Sequence, residues 1–201
     1  IEMTNASPIF PLKSIVLPGG LFPLRIFERR YLDMVTKCIK HDDGFCISLV
    51  KKEAPDSYVT EIYEYGSWVK IYDWNQLEDG LLGITVEGQD IVKISNTSLD
   101  NENLLRGEIE RLDSEKEYLI PQKYTTLSKF YKKIYPMIKT FIHYKEERFA
   151  DASWVSYRLT ECLPIDLETK CNLISTSNAI ERLEKINEIM AQLYEKEFKR
   201  V

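Results

Sequence analysis

Apolar residues change their spacing midway along the chain. From Ile9 to about Asp113 they come in short runs separated by turn signals, and after Pro121 they recur every three or four positions. Phe45 to Val50 is a compact apolar run between Gly44 and Lys51-Lys52, the pattern of a buried strand. Tyr58 to Trp74, rich in aromatic and β-branched residues, predicts a second strand, and Asp79-Gly80 a tight turn. Leu82 to Val86 alternates; Gly88 breaks the run and Ile91 to Ile94 resumes it. Leu105 to Leu112 adds one more strand. Tyr31, Leu32, Val35, Cys38 and Ile39 keep helical spacing and predict one helix among the strands, ending near Gly44. Short strands at this spacing predict a barrel or sandwich.

The stretch from Pro8 to Tyr31, PIFPLKSIVLPGGLFPLRIFERRY, mixes prolines with core-type residues. Proline donates no hydrogen bond to a sheet, so the prolines are expected between the apolar pieces. Pro11 would end Ile9-Phe10, Pro18-Gly19-Gly20 would turn the chain, and Pro23 would begin a strand from Leu24 to Phe27.

In the second half, Leu127, Phe130, Ile134, Ile138 and Phe141 form one helical stripe, with a kink or break expected at Pro136. Trp154, Val155, Arg158, Leu159, Cys162 and Leu163 form another, stopped by Pro164. Asp166 can cap a short third helix, and Asn178 followed by Glu181 resembles a capping box for the last one. That helix turns Ile180, Leu183, Ile186, Met190 and Leu193 inward, with Glu181–Lys185 and Glu195–Lys199 as outer pairs. The class expected is α+β: a β-barrel domain over residues 1–116 and an α-helical domain over 117–201.

Composition removes several function classes. No apolar run is long enough to cross a bilayer, and no basic stretch followed by an apolar one suggests a leader. Cys38, Cys46, Cys162 and Cys171 form no C-x-x-C pair, and His41 and His143 are the only histidines, so no metal site is expected. The cysteines read as small core residues in a reducing compartment. A net charge of −5 weighs against nucleic acid as a partner.

Catalytic motifs are absent: there is no phosphate loop, no H-E-x-x-H, no G-x-S-x-G and no dinucleotide fingerprint, so neither enzyme nor cofactor is expected. Ser48 and Lys51 have a Ser-x-x-Lys spacing, but in a strand residues three apart point to opposite faces. His143 reads as part of a solvated face. The aromatic stretch from Glu61 to Trp74 offers more. Alternation puts Tyr63 and Tyr65 on one face; past Gly66 the phase is expected to shift, with Val69 and Ile71 inward and Trp68, Lys70 and Tyr72 outward.

Several of these motifs resemble one family. Ile9-Phe10-Pro11-Leu12, Val16-Leu17-Pro18-Gly19, Pro23-Leu24-Arg25-Ile26-Phe27-Glu28 and Arg30-Tyr31 are similar to the opening of the Lon protease N-terminal, substrate-binding domain. Gly66-Ser67, Leu77 to Gly80, Val86 to Gly88, Trp154 to Leu159, Leu163-Pro164, Glu168 to Lys170 and Ile180 to Leu183 follow in the family's order, in the manner of its stand-alone members. Arg29, Cys46 and Ile91 depart from its pattern.

The resemblance implies a PUA-like β-barrel with one inserted helix, followed by a C-terminal α-helical bundle. It also implies a non-catalytic module without the ATPase and protease parts. Such a module would hold unfolded or hydrophobic polypeptide segments on the barrel surface or between barrel and bundle, by apolar burial and strand-edge hydrogen bonds. The expected contacts are Arg25, Tyr63, Tyr65, Trp68, Tyr72 and Trp74, with a surface ion pair as the competing role for Arg25. Further expectations are a cytoplasmic location, no membrane partner, and a separate protease or chaperone as a second partner; nothing in the pattern favours one oligomeric state. The alternative is a PUA-like RNA-binding protein using Lys13, Arg25, Arg29 and Arg30 with aromatic stacking.

Overall fold

A computed structural model describes residues 6–52, 57–58, 61–140 and 142–198, with the side chains of 197 and 198 excepted. Phe141 of the expected stripe and Lys199 of the expected pair lie outside these residues. The chain divides into two compact units between Ser114 and Glu115.

The described residues of the first unit form six strands and one helix: β1 (Ser7–Leu12), β2 (Leu21–Ile26), α1 (Arg29–His41), β3 (Gly44–Val50), β4 (Ile62–Gln76), β5 (Leu82–Leu99) and β6 (Leu105–Arg111). The sheet order is β2-β5-β4-β3-β1-β6, and β5 also pairs with β6. The pairings of β5, β4, β3, β1 and β6 therefore run in a closed circuit, with β2 attached outside it to β5. Only β1 and β3 are parallel, and the chain between them is long enough to hold β2 and α1.

β3 is buried along its whole length, which explains why its sequence is apolar without alternation. One face carries the row Ile9–Cys46–Trp68, which packs with Val92, Ile94 and Leu105. The opposite face carries Phe45 beside Val69; the Phe45 ring lies 6.2 Å from Phe10, itself 4.0 Å from Tyr31 of α1. Trp68 is thus 7% exposed and points inward, not outward. Both faces of β4 are covered here, so its apolar residues do not mark a single inner face.

The prolines also differ from expectation, because Pro8, Pro11 and Pro23 lie within strands. Pro8 falls where β1 pairs only with β6, and Pro11 where it pairs only with β3. Pro23 lies in β2, which pairs only with β5. Each has a free side where a missing N–H costs nothing. Pro18 does turn the chain: Gly20 N donates to Leu17 O at 2.8 Å, with Gly19 at φ 79°. Gly88 does not break its strand, since β5 runs through it. A Cβ there would sit 2.2 Å from Leu17 O, so glycine allows the Leu17–Pro18 backbone to touch the sheet.

The second unit contains α2 (Thr125–Ile138), α3 (Ala152–Cys162), α4 (Leu167–Ser175) and α5 (Ala179–Phe198). Asp166 caps α4 by accepting from Thr169 N at 2.7 Å, and Asn178 caps α5 by accepting from Ile180 N at 2.9 Å. Pro136 lies in the last turn of α2, which ends at Ile138. The buried face of α2 is Leu127, Tyr131 and Tyr135, while Phe130, Ile134 and Ile138 are only partly buried. The expected stripe was displaced because Tyr131 and Tyr135 enter an aromatic cluster with Tyr144, Phe149 and Trp154.

Two arginines are buried in this unit. Arg182 pairs with Glu115, donates to Thr176 O at 2.6 Å and Ser156 Oγ at 2.9 Å, and lies 4.1 Å over the Tyr157 ring. Arg158 pairs with Glu161 and lies 5.4 Å from the rings of Tyr144 and Trp154. Cys38, Cys46 and Cys171 are buried, but Cys162 is exposed, against expectation.

Candidate functional site

The aromatic stretch forms β4, and its far end makes a hairpin with β5. Gly80 N donates to Leu77 O at 2.9 Å, and Leu81 N donates to Asp79 Oδ1 at 3.0 Å, with Gly80 at φ 83°. Across β2, β5 and β4, Leu24, Ile84 and Trp74 stand in one row, and Arg25, Gly83 and Asn75 in the next. The register shifts between Ile71 and Asp73, so that Tyr72 and Asp73 together oppose Thr85. That extra residue changes which face follows and sets Trp74 on the side of Ile84.

Trp74 is 58% exposed and Tyr72 49%. Large apolar side chains at such exposure are informative when they cluster, and these two stand two residues apart at one hairpin end. Phe27, directly after β2, is also exposed. It was not among the expected contacts, although alternation from Arg25 places it on the outward side. Arg25 pairs with Asp79 of the hairpin turn. Both side chains are largely exposed, so the pair contributes about 0–1 kcal/mol, and Arg25 serves the turn.

Tyr63 and Tyr65 are half-buried at the other end of β4, roughly 30 Å away along the strand. Tyr63 lies beside Lys51, whose Nζ is 6.0 Å from its ring, and its carbonyl accepts from Ser48 Oγ at 2.8 Å. It also lines a cleft of about 270 Å³ with Glu61, Ile62, Ile94 and Asn96. The expected contacts therefore divide three ways: Arg25, Tyr72 and Trp74 at the hairpin, Tyr63 and Tyr65 at the far end, and Trp68 in the core.

Nothing among the described residues groups three metal-ligating side chains. The Cys38 thiol is pushed up to about 11 by burial, with Asp43 adding to the effect, and burial also raises Cys46. Thiols held protonated in this way are poor nucleophiles. The chemistry on offer at the hairpin is apolar contact with polar support from the turn. No helix among the described residues is long and apolar enough to cross a membrane.

The family model described as the ATP-dependent protease La (LON) substrate-binding domain matches residues 6–192. Lon protease from Haemophilus influenzae is 26% identical over 186 residues, covering 88% of this chain and 23% of that protein. A LON peptidase N-terminal domain and RING finger protein from Schizosaccharomyces pombe is 24% identical over 240 residues, covering all of this chain and 48% of the relative. The chain thus spans about a quarter of the Lon protease and about half of the yeast protein. Among solved structures, the Lon N-terminal domain protein from Xanthomonas campestris superposes with a TM-score of 0.73 at 25% identity, covering 92% of this chain and 98% of that one. The region matched is the substrate-binding part of a protease and not its catalytic part, and the chain belongs to the Lon substrate-binding domain family.

Proposed function

We propose that this chain is a non-catalytic module that binds unfolded or hydrophobic polypeptide segments. The observation that carries the reading is the exposed Tyr72–Trp74 end of the β4–β5 hairpin in a chain matched along most of its length by a protease substrate-binding domain. Tyr and Trp are effective anchors: each buries about 150–250 Å² at little cost in rotamer freedom. Leu24, in the row of Trp74, extends the apolar area onto β2, and Arg25 holds the turn through Asp79.

The free edge of β2 is interrupted by Pro23, so strand addition there is limited to short pieces and side-chain burial dominates. At the far end of β4, Tyr63 contributes a second contact through the cleft it lines, and Tyr65 stands two residues along the strand from it. The closed circuit of strand pairings supports the PUA-like barrel for residues 1–116, and the common core of α2, α3 and α5 supports a helical bundle for 117–201. A cytoplasmic module of this kind would act with a separate protease or chaperone. None of the matches supports the RNA-binding alternative.

The test is binding of a permanently unfolded protein, followed by fluorescence anisotropy, before and after Tyr72→Ala and Trp74→Ala. Affinity should fall about tenfold or more for the double variant. An unchanged affinity with an unchanged circular dichroism spectrum removes this surface from consideration.

A further inference from the structure

A second surface lies in the helical unit. Between Gln122 and Lys145 the sequence has six lysines and no carboxylate, in a chain whose net charge is −5. Lys129, Lys132 and Lys133 are exposed on α2. No carboxylate of a described residue pairs with Lys129 or Lys133. Lys133 follows Lys129 by four residues, so the two lysines share one face of α2, and it follows Phe130 by three, which sets that face next to Phe130. Phe130 in turn lines an apolar groove of about 490 Å³ with Leu163, Pro164, Met190, Leu193 and Tyr194; among the described residues, Lys196 is its only charged lining residue. Farther along α2, Met137 is also exposed.

An apolar groove with Lys196 in its lining and Lys129 and Lys133 exposed on its α2 side fits one kind of occupant best. Phosphate backbones need several cations along a groove with stacking rings or base-edge contacts, whereas four of the lining residues, Leu163, Pro164, Met190 and Leu193, are non-aromatic and apolar and Lys196 is the one cation in the described lining. An amphipathic helix with an acidic polar face matches both features: its apolar side chains fill the groove and its carboxylates meet the lysines. We propose that the groove between α2, the end of α3 and α5 is a docking site for an acidic amphipathic segment of a partner protein. Methionine suits such a site because its flexible thioether adapts to different apolar side chains. The surface involves neither the β4–β5 hairpin nor its aromatic pair, so it stands or falls separately from polypeptide binding there.

The test uses the full chain and three labelled probes: a short helical peptide with leucines at i and i+4 and glutamates elsewhere, the same peptide with lysine in place of glutamate, and a single-stranded oligonucleotide. The acidic peptide should bind and the basic one should not. Lys129→Glu combined with Lys133→Glu should weaken the acidic peptide about tenfold or more, and Met190→Glu should do the same through the groove itself. Both variants are checked for an unchanged melting temperature; because the lysines are exposed, the first separates binding from folding. Lys40→Glu, an exposed change on α1, should leave peptide affinity unchanged. Equal binding of both peptides, preference for the oligonucleotide, or indifference to the α2 lysine variant would overturn the proposal.

Discussion

Trp68 and Trp74 stand six residues apart on one strand and have opposite roles. Trp68 is packed against Ile9, Cys46 and Val92, so Trp68→Ala should cost about 3–5 kcal/mol in urea denaturation. Trp74→Ala should change stability by less than about 1 kcal/mol while lowering affinity for unfolded polypeptide. A large stability loss at Trp74 would show that it packs rather than presents. Arg182 makes the same point for charge. Removing it leaves the Glu115 carboxylate without its cation and takes one donor each from the Leu173 and Thr176 carbonyls, and Arg182→Ala should cost about 3–5 kcal/mol. Arg182→Lys should recover only part of that, since an ammonium cannot span these acceptors as a planar fork does. A full recovery, read in the same denaturation experiment, would mean that charge alone matters. Alternation placed the aromatic residues on a strand but set Trp68 outward with Tyr72, because the division depends on α1 covering the second face. The buried pairing of Arg182 has no local sequence signal, because its partner Glu115 lies 67 positions earlier.

At the scale of elements, the turn between β5 and β6 offers a pH-dependent prediction. The Asp100 carboxylate accepts from Glu102 N at 2.9 Å, Leu104 N at 3.0 Å and Arg106 Nε at 2.7 Å. Partial burial raises its pKa, but the Arg106 and backbone hydrogen bonds outweigh that and hold it below the ordinary value. A carboxyl with a depressed folded-state pKa adds stability above its unfolded pKa, near 4. That stability is lost as pH falls through the folded value. Asp100→Asn should therefore lower the melting temperature at neutral pH, and the gap from wild type should close on acidification below about pH 4. A gap constant with pH would assign the effect to geometry and not to charge. Neither this clamp nor the Asp151 cap of α3, which accepts from Trp154 N at 3.1 Å, was anticipated from the sequence. Asp166 and Asn178 were, because each directly precedes a helical stripe. Element types were legible because the period changes from two to nearly four. The strand phases were not, since register shifts at Trp68–Val69 and Ile71–Asp73 leave no fixed mark in the residues.

For the whole molecule, charge and apolar surface are separated along the chain. The hairpin end of the first unit presents Tyr72 and Trp74, with its one arginine already paired to Asp79. The uncompensated lysines lie on α2 of the second. Two kinds of polypeptide should therefore respond differently to ionic strength. Exposed charges are screened beyond about 8 Å at physiological salt, whereas apolar burial is not weakened by it. Raising salt from about 50 to about 200 mM should change the affinity for an uncharged unfolded polypeptide by less than about threefold. A nucleic-acid complex with several phosphate contacts would lose about a thousandfold or more over the same range. Because the residues concerned lie in different units, Trp74→Ala and the α2 lysine variants should have additive effects on binding free energy in a substrate that carries both an unfolded segment and an acidic helix. Isothermal titration of the single and combined variants at two salt concentrations measures both quantities. A steep salt dependence for the uncharged substrate would show that apolar burial does not govern its binding, and the aromatic hairpin would then be left with a structural role only.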